Sequence, residues 1–180
     1  MKKFVTLVLS ASLMAVVTSA HAVKPSERYT LAQAAFDVNA TGPYAGMFDT
    51  LYSLATGDQE IASRLTGNGQ YTVFAPTDDA FEAVVPLLVC NNLFTPELVN
   101  SVLKYHIVRG NRDSTEVLDT DRFRTLLGAF FEHDNLVITD GAGEDADIIA
   151  YDVFADNGVI HAVNKVLLPF PIPQDCPAES

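Results

Sequence analysis

The sequence predicts an α+β domain, and two observations carry the expectation. Up to Tyr105 the apolar residues fall at helical spacing, interrupted by one run of β-branched and aromatic residues at Tyr71 to Ala75. Beyond Gly110 the chain changes to short strand-like segments punctuated by Gly, Asn and Asp. Helices first and strands afterwards, with one early strand, are the order of an α+β fold.

Leu31, Ala34 and Ala35 lead a first helix, and Thr41-Gly42-Pro43 breaks it. Met47, Phe48, Leu51, Tyr52 and Ala55 lead a second, at i, i+1, i+4, i+5, i+8 spacing. Gln59, Ile61, Ala62 and Leu65 suggest a short third helix, stopped near Gly67-Asn68-Gly69. Tyr71 to Ala75 has the composition of a buried strand. Thr77-Asp78-Asp79 then reads as a helix start: Thr77 can cap free N–H groups, and both carboxylates sit at the positive end of the helix dipole. Phe81, Val84 and Val85 form its buried face until Pro86 is expected to end it. Thr95-Pro96-Glu97 repeats the grammar, with Leu98, Val102 and Tyr105 on the inner side. The strand candidates are Phe123 to Leu127, Ala129 to His133, Leu136 to Thr139, Asp147 to Phe154 and Val159 to Leu168.

The first 22 residues are expected to be a signal peptide. Lys2 and Lys3 precede an apolar run from Phe4 to Val17, and Ala20-His21-Ala22 places small residues at the cleavage spacing. The run is too short for a membrane anchor, so no stable membrane insertion is expected. Cleavage after Ala22 leaves 158 of the 180 residues: a lead at 23–28, one domain at 29–169 and a Pro-rich tail at 170–180. A chain of this length can bury roughly two thirds of its surface. Losing Lys2 and Lys3 takes the net charge from −12 to −14. Such a surface argues against nucleic acid, whose backbone demands clustered Lys and Arg. It is read as solubilising, with cation binding or a basic partner as the alternatives. The address is secreted: extracellular or periplasmic. Cys90 and Cys176 are an even count in an exported chain, so a disulfide is the default, with two free thiols as the alternative.

Three stretches carry a family resemblance: TVFAPTDDAF at Thr72 to Phe81, LKYHIV at Leu103 to Val108, and NGVIHAVNKVLLP at Asn157 to Pro169. In this order they resemble the signatures of the fasciclin-like domain, and TLLGAFF at Thr125 to Phe131 sits where that family has a strand–Gly–strand element. The resemblance implies a β-sandwich wedge flanked by short helices, and a secreted adhesion module. It also implies that Tyr105 and His106, matching the family's Tyr-His pair, contribute to partner binding. Two features depart from the pattern: the stretch Asn39 to Gly57 is longer, and Arg109-Gly110-Asn111-Arg112 is more basic than the usual turn.

No residue set points to catalysis. No Ser lies in a Gly-x-Ser-x-Gly elbow, and no phosphate-cradling Gly loop precedes a Lys. Adjacent Asp78 and Asp79 point about 100° apart on a helix, which suits a helix start and not an acid/base dyad. His106 and His161 read as structural. Asp140, Glu144, Asp145 and Asp147 lack calcium-loop spacing, and no cluster has zinc-ligand spacing, so no metal or cofactor is expected. The expected function is therefore a non-enzymatic interaction module for a cell-surface or matrix protein or polysaccharide. The alternative is a carrier of a small apolar ligand, such as a lipid or carotenoid, in a groove lined by Met47, Phe48, Leu51 and Tyr52. An unrecognised hydrolase using His106 or His161 is the third class.

Overall fold

The computed structural model describes residues 28–177. The expected signal peptide at 1–22, most of the lead and the last three residues of the tail lie outside the described residues.

Two strands rich in apolar residues form the centre. β1 (Tyr71–Pro76) and β7 (Gly158–Val163) are buried at every position and run parallel, Tyr71 opposite Gly158 and Pro76 opposite Val163. A parallel pair of this kind needs cover on both faces, and alternation along the strands directs it. Val73, Ala75, Ile160 and Ala162 point into one apolar cluster, while Phe74 and Val163 point into another. β2 (Ile107–Arg109) pairs antiparallel with β1, and β6 (Asp145–Ala155) antiparallel with β7. β5 (Val137–Thr139), β4 (Phe130–Asp134) and β3 (Arg122–Arg124) complete the order β2-β1-β7-β6-β5-β4-β3. Register shifts around Ala150, with Asp152 at φ 59°, mark irregularities in β6 of the kind that bend a strand. The outermost strands meet again at an antiparallel bridge between Val108 and Thr125, so the sheet nearly closes on itself. Its interior is filled by aromatic rings, with Phe74 5.1 Å from Phe131 and 5.8 Å from Phe123.

Helices flank this wedge as expected. α1 (Leu31–Ala40), α2 (Asp49–Gly57) and α3 (Gln59–Thr66) cover the first cluster. α4 (Asp78–Cys90) and α5 (Pro96–Tyr105) enclose a third, which also takes Val166, Leu168 and Ile172 from the C-terminal segment. Cys90 and Cys176 are bridged, with their Cα atoms 5.4 Å apart.

Four local expectations are corrected. α4 does not stop at Pro86 but runs through it to Cys90, because Leu88 and its neighbours have the third cluster to bury against. Thr77 holds the N-cap position without a side-chain cap bond, and Asp78 serves α2 instead: its carboxylate accepts the N–H groups of Asp49 (3.1 Å) and Thr50 (2.9 Å). The last strand ends at Val163; beyond it the N–H groups of Leu167 and Leu168 are taken by side chains, not by a ladder. Finally, α6 (Ser114–Leu118) and β2 stand where no element was expected.

Candidate functional site

Tyr105 and His106 close α5, and the structure buries both, at 0% and 2% exposure. The Tyr105 hydroxyl donates to the Phe130 carbonyl (2.8 Å) and accepts the Gly141 N–H (2.8 Å). Burial pushes its pKa up to about 12, so it remains a neutral donor. His106 Nδ1 lies 2.7 Å from the Val102 carbonyl, and Nε2 accepts the Leu167 N–H at 2.9 Å. Only a protonated Nδ1 can face a carbonyl, so the ring is the neutral Nδ1–H tautomer. Burial lowers its pKa to about 4. Neither side chain reaches a partner directly. What the pair holds is the Phe130 backbone, the Gly141 turn and the segment at Leu167. That turn is tight, since a Cβ on Gly141 would lie 2.5 Å from the Pro169 carbonyl oxygen. Phe130 itself and Phe170, next to Pro169, are exposed.

His161 is buried and doubly bonded as well. Its Nε2 lies 2.9 Å from the Arg112 carbonyl and its Nδ1 accepts the Asp152 N–H at 3.3 Å, and burial lowers its pKa. Asp140 accepts the N–H groups of Ala142 and Glu144 on one oxygen, and of Leu168 on the other. Asp145 binds Thr139, Asp147 binds Asn164, and Glu144 pairs with Lys165. These carboxylates are spent on separate turns and strands, not gathered around one point.

The groove residues fare differently. Phe48, Leu51 and Tyr52 line an apolar cavity of about 60 Å³ between the first three helices and the sheet; Met47 packs against the same cluster without lining the space. The remaining walls come from α1, α3, α5 and strands β1, β2, β6 and β7, whose convergence is a long-range property that helical spacing does not reveal. His106 borders the cavity too. Benzene occupies engineered cavities of about 150 Å³, so a lipid or carotenoid enters a space of about 60 Å³ only if its walls move apart. Phe36 and Tyr52, 5.9 Å apart, span α1 and α2.

Comparisons with known proteins agree on one lineage. Residues 46–169 match the Fasciclin domain model, leaving α1 ahead of the matched stretch. Protein sll1483 of Synechocystis sp. is 35% identical over 127 residues, 68% of this chain and 67% of that protein. The cell surface glycolipoprotein MPB83 of Mycobacterium bovis is 33% identical over 133 residues, 68% of this chain and 56% of its own length. A solved FAS1 domain pair from the insect cell adhesion molecule fasciclin I superposes with a TM-score of 0.56 at 15% identity, covering 72% of this chain and 49% of that one. The chain thus spans roughly half to two thirds of the length of each of these three proteins. With a family model matched over most of its length and the same fold in a solved relative, this chain belongs to the fasciclin domain family.

Proposed function

We propose that this protein is a secreted, non-enzymatic interaction module that binds a cell-surface or matrix partner. The observation that supports it most is how Tyr105 and His106 are used. The Tyr105 hydroxyl holds Phe130 and Gly141, His106 Nε2 holds Leu167, and His106 Nδ1 is bonded to the Val102 carbonyl, while the Phe130 side chain stays exposed. A pair spent this way shapes a contact surface and offers neither a free base nor a nucleophile. The names of two relatives, a cell surface glycolipoprotein and a cell adhesion molecule, accord with the reading. The test is binding of the purified protein to cells and to extracellular matrix, with Phe130→Ala and Tyr105→Phe compared at matched folded fraction. Both variants are expected to weaken binding, Phe130→Ala by removing contact area and Tyr105→Phe by releasing Phe130 and the Gly141 turn. Undiminished binding by both would remove this site assignment.

The apolar cavity supports a second reading, a carrier of a small apolar ligand held by Phe48, Leu51 and Tyr52. The native mass and absorption spectrum of protein purified from its own secretory compartment decide this. A bound, coloured or lipid-sized adduct supports it, and a bare polypeptide mass counts against it.

A further inference from the structure

The mature chain is expected to keep nine basic residues, and four of them lie between Arg109 and Arg124. Among the described residues the three ion pairs use Arg64, Lys104 and Lys165, each facing a glutamate. Arg109, Arg122 and Arg124 make none, although the sequence holds 23 acidic residues. Their placement compounds the cost. Val108 and Thr125 are bridged antiparallel where β2 meets β3, so the register carried one residue outward sets Arg109 opposite Arg124. Both are exposed while Val108 and Thr125 point inward. Like charges directly opposite one another destabilise a strand pair. Arg122 lies two residues further along the same face of β3, also exposed. It passes over Glu132, its cross-strand neighbour, and lays its guanidinium 4.2 Å from the centre of the Phe130 ring. Phe130 in turn stands opposite Arg124.

We propose that this seam binds an acidic polysaccharide, a chain bearing uronate carboxylates or sulfate groups. The inference rests on the interaction-module reading and names the chemistry of its partner. Guanidinium forks grip carboxylate and sulfate oxygens in pairs. Three of them are spread over two adjacent strands, about 5 Å apart across the sheet and about 7 Å along it. The part of the Phe130 ring that Arg122 leaves exposed offers apolar contact to the C–H groups of a sugar ring. That alternation of anionic groups and ring faces is what a charged glycan presents. The Tyr105 hydroxyl, bonded to the Phe130 carbonyl, fixes the aromatic member from below. Nucleic acid suits the molecule less well, because a phosphate backbone demands clustered Lys and Arg over a longer track than three arginines on a mature chain of net charge −14 supply.

The experiment measures binding of the full secreted chain to heparin and polygalacturonate, with neutral dextran as control, at several salt concentrations. The expected result is binding to the acidic chains but not to dextran, weakening as salt rises. Arg109→Ser/Arg124→Ser is expected to lose about tenfold or more in affinity at low salt and to flatten the salt dependence. Lys165→Ser should bind as the wild type does. Removing the opposed charges should leave the melting temperature of the double variant unchanged or higher. Should the double variant not fold, Arg124→Gln alone is expected to show the same loss in smaller measure. Three results overturn the proposal: no wild-type binding to either acidic chain, equal binding by the arginine variants, or tighter arginine-dependent binding to single-stranded poly(dT) than to heparin. Parallel binding to cells and matrix separates the two readings. If it persists without these arginines, the polysaccharide site fails and the interaction module stands; if the wild type shows none, the broader reading fails as well.

Discussion

At the scale of single residues, His106 couples chemistry to fold most tightly. Its Nε2 must stay bare to accept the Leu167 N–H, and its Nδ1 must carry the proton offered to Val102. A second proton would break the Leu167 bond and leave a charge in a fully buried site. The folded pKa is accordingly lowered from 6.5 to about 4, first by burial. A histidine with a depressed folded pKa binds fewer protons folded than unfolded, so its contribution is complete above pH 6.5 and lost as pH falls towards 4. The shift corresponds to about 3 kcal/mol across that window. Burial also lowers the pKa of His133 and His161, so both add slope of the same sign. Urea unfolding at pH 7.5 and pH 4.5 checks this. Wild type should lose stability on acidification, and His106→Gln, less stable at pH 7.5, should lose clearly less. Parallel pH profiles for the two proteins would sink the assignment.

At the scale of elements, Asp78 shows what a local reading misses. Its place after Thr77 made it a helix-start carboxylate for α4, and it does stand in that first turn. Its oxygens, however, reach across to the open N-terminus of α2, where Phe48 offers no side-chain cap. Asp78→Ala should therefore cost about 1 to 2 kcal/mol, in the range of a lost N-cap. The loss should appear first as faster amide exchange in Asp49–Gly57, the helix that walls the cavity. Asp79→Ala, without that reach, should change α2 exchange little; equal effects from the two would defeat the argument. The same distinction separates what was legible in the sequence from what was not. β1, β7 and α5 follow from local composition and capping residues, and so do Phe48, Leu51 and Tyr52 as one apolar face. β2 has three residues, too few to show alternation, and α6 has five, although Asp113 caps it and accepts the Glu116 N–H. Asn157 stands in the turn directly before Gly158, but its side chain does more than turn the chain. It is fully buried, accepts the Leu31 N–H and donates to the carbonyls of Leu65 and Gly67, joining α1, α3 and β7. The Arg109–Arg124 opposition needed the β2–β3 bridge, a contact between distant segments that no local pattern announces.

At the scale of the whole molecule, the C-terminal segment crosses from the sheet to the helices and is held at separate points. Leu167 is bonded to His106, Leu168 to Asp140, Ile172 is buried against α4 and α5, and Cys176 is bonded to Cys90. The bridge closes a span of 86 residues, which includes α5, α6 and most of the sheet. Closing so long a loop restricts the unfolded chain by an amount worth about 4 to 5 kcal/mol in the entropic model, an upper figure because native strain subtracts from it. Its native contacts near the bridge are fewer: Asn91 donates to the Asp175 carbonyl at 3.3 Å, and Ile172 supplies the buried side chain. Cys90→Ser/Cys176→Ser should therefore lower the unfolding free energy by several kcal/mol while leaving β1 and β7 intact. Amide exchange should rise from Phe170 to the end of the described residues and stay slow at Leu167 and Leu168, where side-chain acceptors remain. Reducing the wild type should reproduce the variant. An unfolding midpoint unmoved by either treatment would mean that the other tethers hold the chain closed in the unfolded ensemble or that the loop contributes nothing. Faster exchange at Leu167 than at Ile172 would place the main tether at the disulfide and not at His106.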